Sequence, residues 1–193
     1  MGSALMQPQL HAVTWDDYVG LPDDDRRELI DGELLEGEVP TEIHESIVIA
    51  LGAALYNWCA QHGGKVLASG YKVQITAKRG VMPDVQYYKP GRGSQPKGRT
   101  DGGPDLAVEI VSPGSEGRDR VTKMAYYLSI GVAEYWLIDP QDRTLQRFLR
   151  TEQPDIGAAW LVTHSLGIED GPFAPSTFPG LVLDLPKLFE IAE

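Results

Sequence analysis

Glu109 stands inside the apolar run Leu106-Ala107-Val108-Glu109-Ile110-Val111, where a carboxylate is costly to bury unless it is paired, protonated or bound to a cation. Twenty-five residues earlier, Asp84 begins a second extended run within Met82-Pro83-Asp84-Val85. Two adjacent strands could present both carboxylates to one point, and such a pair binds a hard divalent cation through oxygen. Mg2+ held by two carboxylates and a substrate phosphate is the usual arrangement for phosphoryl chemistry, in which the ion polarises the phosphate and activates a water. The plainer alternatives are a turn residue for Asp84 and an ordinary salt-bridged strand residue for Glu109.

A source of positive charge follows at once. Arg120, Lys123 and Tyr127 lie at i, i+3 and i+7, on one face of a helix. That helix begins across the loop Ser112-Pro113-Gly114-Ser115-Glu116-Gly117, so it could carry an ammonium back toward the carboxylates. Lys123 could orient an attacking water or stabilise charge on the phosphate. The competing role is a surface pair with Asp119 at i, i+4.

The elements that must position these groups are readable locally. Thr14-Trp15-Asp16-Asp17-Tyr18 has a capping residue followed by acids, which predicts a short helix to about Gly20. Asp31-Gly32 between two short apolar runs predicts a hairpin over residues 28–35. Ile43, Ile47, Ala50, Leu51, Ala54, Leu55, Trp58 and Cys59 recur at helical spacing, so a long helix spans Thr41 to His62 and ends at Gly63-Gly64. Lys65–Ala68, Tyr71–Thr76 and Val85–Tyr88 read as strands, with a turn at Arg79-Gly80. Lys89–Arg99 is rich in Gly, Pro and basic residues, as a surface loop would be. The order strand 105–112, helix 118–130, strand 133–138 is a crossover unit in a central sheet. A further hairpin over 145–149 and 160–164 and a closing helical turn at Pro186–Ile191 complete one α/β domain over 1–193.

Composition narrows the classes. The 193 residues include 17 basic and 28 acidic side chains, a net charge of −11, with 42% hydrophobic residues and one cysteine. Those values exclude a disordered chain, a disulfide scaffold and a zinc finger. No apolar stretch reaches the length of a membrane span and the first residues do not form a signal peptide, so a cytoplasmic setting without membrane attachment is expected. The charge is uneven: residues 1–62 carry −10, residues 63–123 carry +5 and residues 124–193 carry −6.

Several motifs occur together in order. They are Arg27-Glu28-Leu29-Ile30-Asp31-Gly32-Glu33, His44, Pro83-Asp84-Val85, Pro104-Asp105 through Ser112-Pro113, Asp119-Arg120-x-x-Lys123-x-x-x-Tyr127, and Gly131-Val132-x-Glu134-Tyr135-Trp136-Leu137-Ile138-Asp139-Pro140. This series resembles the Uma-two family of endonucleases, within the PD-(D/E)XK or restriction-endonuclease-like superfamily, over about residues 14 to 150. The resemblance implies a restriction-endonuclease-like fold: a central mixed β-sheet flanked by helices, here with an N-terminal β-hairpin. It implies Asp84 and Glu109 as ligands of Mg2+ or Mn2+, with Glu28 completing the carboxylate set. Two residues beyond Glu109, where the superfamily has lysine, this chain has Val111; Lys123 is the substitute. His44 could face the site and hold a phosphate or water, and Gln74 could point inward beside Asp84. Glu134, Tyr135 and Trp136 are expected to lock helix to sheet.

Two functions follow. The first is a metal-dependent endonuclease cutting DNA, acting as a homodimer, with Phe173–Leu183 as a possible interface and Lys78, Arg79, Lys89, Arg92, Lys97 and Arg99 holding the backbone. The second is a nuclease-like binding module that does not cut, which the charge of −11 and Val111 favour.

Overall fold

The computed structural model describes residues 12–37, 39–68, 70–92, 94–95, 99–100, 102–112 and 117–190, with side chains except at 94–95, 99–100 and 118–120. Local signals account for the first elements. Thr14 caps α1 (Trp15–Val19) with a capping box: its side chain accepts from the Asp17 N–H and the Asp17 carboxylate accepts from the Thr14 N–H. Strands β1 (Glu28–Ile30) and β2 (Glu33–Leu35) pair across Asp31 and Gly32, whose φ of 52° and 86° suit a type I′ turn. Thr41 caps α2 (Glu42–His62), its side chain accepting from the His44 N–H.

Beyond α2 come β3 (Lys65–Ala68), β4 (Val73–Thr76), β5 (Arg79–Val81) and β6 (Val85–Tyr88). Arg79-Gly80, expected as a turn, is therefore strand: β5 pairs with β4 and also with β1, where Leu29 faces Gly80. A Cβ on Gly80 would come within 2.5 Å of the Trp15 ring, so the glycine lets α1 rest directly on this strand. The predicted loop at 89–99 contains two short paired strands, β7 (Ser94–Gln95) and β8 (Arg99–Thr100). Strand β9 (Leu106–Ile110) is buried at every residue. A π-helical turn (Arg118–Lys123) runs into α3 (Met124–Ser129), and β10 (Glu134–Asp139) lies parallel to β9. The chain ends with the long hairpin β11 (Thr144–Gln153) and β12 (Gly157–Gly167), the short pair β13 (Pro172–Phe173) and β14 (Leu183–Asp184), and α4 (Leu185–Glu190).

The central sheet runs β12-β11-β10-β9-β6-β3, antiparallel except for β9 and β10; a second sheet runs β2-β1-β5-β4. Alternation along β9 divides the core. Leu106, Val108 and Ile110 pack with α2, α4 and the C-terminal segment, while Ala107 and Val111 pack with Tyr127, Tyr135 and Leu137. Val111 is thus a core residue.

Most of the large apolar side chains of Phe173–Leu183, the segment expected at an interface, turn inward. Phe173, Phe178, Leu181 and Leu183 all belong to the main core, because this segment folds over Trp58, Tyr87 and Trp136 instead of standing out from them. Glu134 and Arg147 lock that closure. Arg147 donates to Glu134 through Nε at 2.6 Å and Nη2 at 3.3 Å, Trp136 donates to Glu134 at 2.6 Å, and Thr177 donates to it at 2.5 Å. No helix among the described residues is long and apolar enough to cross a membrane.

Candidate functional site

Register brings Asp84 and Glu109 together. β6 and β9 are antiparallel with Val85 opposite Val108, so Asp84, just before β6, and Glu109 both lie next to the end of this pairing. The Ile110 N–H donates to Asp84 Oδ2 at 2.7 Å, which ties the aspartate to the same strand as the glutamate. Asp84 keeps partial exposure, at 18% for its side chain, whereas Glu109 is at 2%.

The helix after β9 supplies the cation. Lys123 donates from Nζ to Glu109 Oε2 at 3.0 Å, and the same ammonium lies 3.2 Å from Glu28 Oε1. The Met82 N–H also donates to Glu28 Oε1, at 3.1 Å, so β1 is tied to the segment leading to Asp84. All three side chains are buried. An ammonium placed between two carboxylates offsets part of their desolvation. Any surface pairing with Asp119, like the direction of Arg120, lies outside the described side chains.

Tyr127 holds the other oxygen. Its hydroxyl donates to Glu109 Oε1, one helical turn beyond Lys123. Burial first, and then the Glu109 charge, pushes the Tyr127 pKa well above its ordinary 10, so the phenol remains a donor. The i, i+4 spacing of Lys123 and Tyr127 placed both on one face, but which carboxylate they would share was not legible from spacing alone.

His44 approaches from the first turn of α2. Its Nε2 lies 3.2 Å from Asp84 Oδ1 and its Nδ1 lies 3.4 Å from Glu45 Oε1. Burial, the largest influence, opposes its charge; the hydrogen bond and charge of Asp84, with Glu45 added, outweigh it and hold the imidazole above its ordinary pKa. Gln74 is not part of this arrangement. It is exposed, and its amide donates weakly to the Thr76 carbonyl at 3.5 Å, because alternation along β4 turns Val73 inward. The buried amide near Asp84 is that of Gln86, which donates to the Tyr71 carbonyl at 2.8 Å and accepts from the Tyr88 hydroxyl at 2.7 Å.

The basic segment is largely paired. Arg79 donates to Asp31 at 2.6 Å, Arg92 lies 2.9 Å from Asp105, and Lys89 lies 3.9 Å from the same carboxylate. Lys97 and the Arg99 side chain lie outside the described residues. Among the described residues, no three His, Cys, Asp or Glu side chains stand close enough together to hold a metal ion. Instead the acids fall into two groups, Glu28 and Glu109 about Lys123, and Asp84 against His44. The donor chemistry nonetheless suits a hard cation: the groups are carboxylate oxygens, and two of them, from Glu28 and Glu109, already converge on a single cationic atom.

The fold is shared with a solved structure described as "a putative nuclease belonging to DUF820 from Anabaena variabilis ATCC 29413". The TM-score is 0.74 at 19% identity, over 94% of this chain and 99% of that one. No curated protein matches this chain. The family described as "Uma2: Putative restriction endonuclease" matches residues 15–186, nearly the whole chain and every residue of the cluster around Lys123, and the protein belongs to that family.

Proposed function

We propose that this protein is a divalent-metal-dependent endonuclease that hydrolyses DNA phosphodiester bonds, with Glu28, Asp84 and Glu109 as the ligands of Mg2+ or Mn2+. The observation that carries the reading is the buried ammonium of Lys123 held between Glu28 and Glu109, with Asp84 tied to the N–H of Ile110, the residue after Glu109. A structural ion pair has no need of a third carboxylate bonded to the strand that carries Glu109. When bound, the ion would polarise the scissile phosphate and lower the pKa of a water.

The chain's own groups have distinct tasks in this reading. Lys123 stabilises negative charge as it develops on the phosphate. Tyr127 fixes the plane of the Glu109 carboxyl group by holding one oxygen, and the Ile110 N–H does the same for Asp84. His44, whose pKa Asp84 helps to raise, stands 3.2 Å from Asp84 and adds positive charge there when protonated. A homodimer in the cytoplasm, cutting one strand with each copy, belongs to the same proposal, since isologous pairs are the commonest assemblies.

The test is cleavage of single- and double-stranded DNA by purified protein with Mg2+ and with Mn2+. Activity that Glu109→Gln abolishes is expected. Wild type without such activity overturns the proposal and leaves the second reading, a nuclease-like module that binds without cutting. That reading is favoured by one observation: Arg79, Lys89 and Arg92 are engaged by Asp31 and Asp105 in a chain of charge −11, which weakens the backbone attraction that phosphate contacts would supply.

A further inference from the structure

Helix α2 is apolar on both of its faces. From Ser46 to Gly64 the chain has no Asp, Glu, Lys or Arg, in a protein that carries −11 overall. Ile47, Val48, Leu51, Leu55 and Cys59 fill the core side. On the outer side Ile49 is 69% and Tyr56 67% exposed, and Ala53 and Ala60 are exposed with them. The spacing of these four residues sets them in one stripe along the helix. A helix that is hydrophobic all round is ordinarily buried all round, so this stripe lacks the cover that its composition calls for.

Gly52 lies beside the stripe, in the middle of this 21-residue helix. A glycine there is destabilising relative to alanine, and a Cβ at this position would meet nothing within 4 Å. Packing within one chain therefore gives no reason for its small size. A second helix crossing at this point supplies one, because glycine lets two backbones approach closely.

The two ends of the stripe carry opposite charge. Glu42 and Glu45, both exposed, continue it at the N-terminal end. The other end is basic. Lys65 opens β3 directly after Gly63-Gly64 and pairs with Tyr88, which brings Lys89 to the same end, where Pro90 would touch a Cβ on Gly63. The Lys89 side chain is 64% exposed, and Asp105 is the acid that it shares with Arg92. With Lys65, Lys89 and Arg92 against Asp105, the excess at this end is positive.

We propose that the outer face of α2 is a dimerisation surface, and that its occupant is the same helix of a second copy, antiparallel about a two-fold axis beside Gly52 and Ala53. The stripe is self-complementary in that arrangement. Ile49 and Tyr56 lie equally far along the helix from the axis, so Tyr56 of one copy covers Ile49 of the other, while Gly52 and Ala53 leave room for the crossing. Glu42 and Glu45 of each copy meet the Lys65 and Lys89 end of the other; a parallel pair would set acid against acid. A contact of one helix per copy is small for a specific interface, so a dissociation constant of about micromolar order is expected. This gives a surface to the homodimer of the nuclease reading, yet it stands on α2 alone and holds whether or not the protein cuts DNA.

The test is sedimentation of the full chain, without DNA or metal, from about 1 µM to about 200 µM. Wild type should pass from the mass of one chain to that of two. Ala53→Arg sets like charges together at the axis and should weaken association at least about tenfold, with the melting temperature of dilute protein unchanged because residue 53 is exposed in a single copy. Gly52→Ala should raise the melting temperature of dilute protein by about 1–4 °C, since alanine favours the helix, and yet weaken association. Lys89→Glu should weaken it about threefold or more, and adding Glu42→Lys should restore most of that loss, because the reversed pair attracts again. Wild type that stays monomeric overturns the proposal; if Ala53→Arg then also lowers the melting temperature, the cover comes from residues 1–11 of the same chain. A dimer that survives Ala53→Arg unchanged overturns it too and moves the contact to another surface, while a double charge variant weaker than Lys89→Glu overturns the antiparallel order. DNA cleavage is scored separately: a wild type that dimerises but does not cut strikes the nuclease reading and leaves this surface standing.

Discussion

Lys123 Nζ and Glu109 Oε2 stand 3.0 Å apart with side-chain exposures of 9% and 2%, and Glu28 closes on the same ammonium from a different sheet. Lys123→Met would leave two buried carboxylates facing each other. In metal-free buffer the variant should lose about 3–5 kcal/mol of stability, the usual cost of stranding a buried charge, measured by chemical denaturation. Cleavage should fall by about 10²-fold or more. A variant as stable as wild type would mean that the ammonium does not hold these acids.

Tyr127→Phe removes the donor to Glu109 Oε1. Hydrogen bonds to charged groups contribute about 1.5–3 kcal/mol, and the variant should be destabilised by that amount. Because the phenol's pKa lies well above 10, the donor is present throughout the working range. The loss should accordingly be the same from about pH 6 to pH 9. A loss that disappears within that range would show that the bond is made only in one protonation state.

Arg147→Met provides a structural comparison away from the cluster. Glu134 would lose its partner inside the core, at a cost of about 3–5 kcal/mol, while the double variant with Glu134→Gln should regain part of it. Specific cleavage by the folded fraction should not change. A fall in that activity, at unchanged fold by circular dichroism, would place this pair in the site.

Asp25 governs part of the acid limb. The side-chain hydrogen bond from Arg27, followed by the Arg27 backbone N–H, lowers its pKa from 3.8 to about 2. A carboxylate with a depressed folded-state pKa stabilises the protein above its unfolded value. That contribution is lost as pH falls from 3.8 through about 2. Carboxyl carbon shifts should follow Asp25 with a midpoint near 2, and Arg27→Ala should return the midpoint toward 3.8 and flatten the stability change over that interval.

Much of this protein is determined by signals a few residues long. The Thr14 capping box, the Asp31-Gly32 turn and the Thr41 cap of α2 each depend only on neighbours in the chain, so they are legible without any tertiary contact. Glu109 was conspicuous for a similar reason, since one charge in an apolar strand needs a partner wherever the strand lies. The helical spacing of Lys123 and Tyr127 told which face they share.

Only the tertiary structure decided what those faces meet. Periodicity assigns a residue to a face but carries no information about the element that covers it. Hence the pairing of Glu28 with Lys123 depends on β1 docking against β5, and Arg79-Gly80 became strand because β1 and β4 both needed a partner there. Phe173–Leu183 went to the core, and the basic segment met Asp31 and Asp105 from elsewhere in the chain.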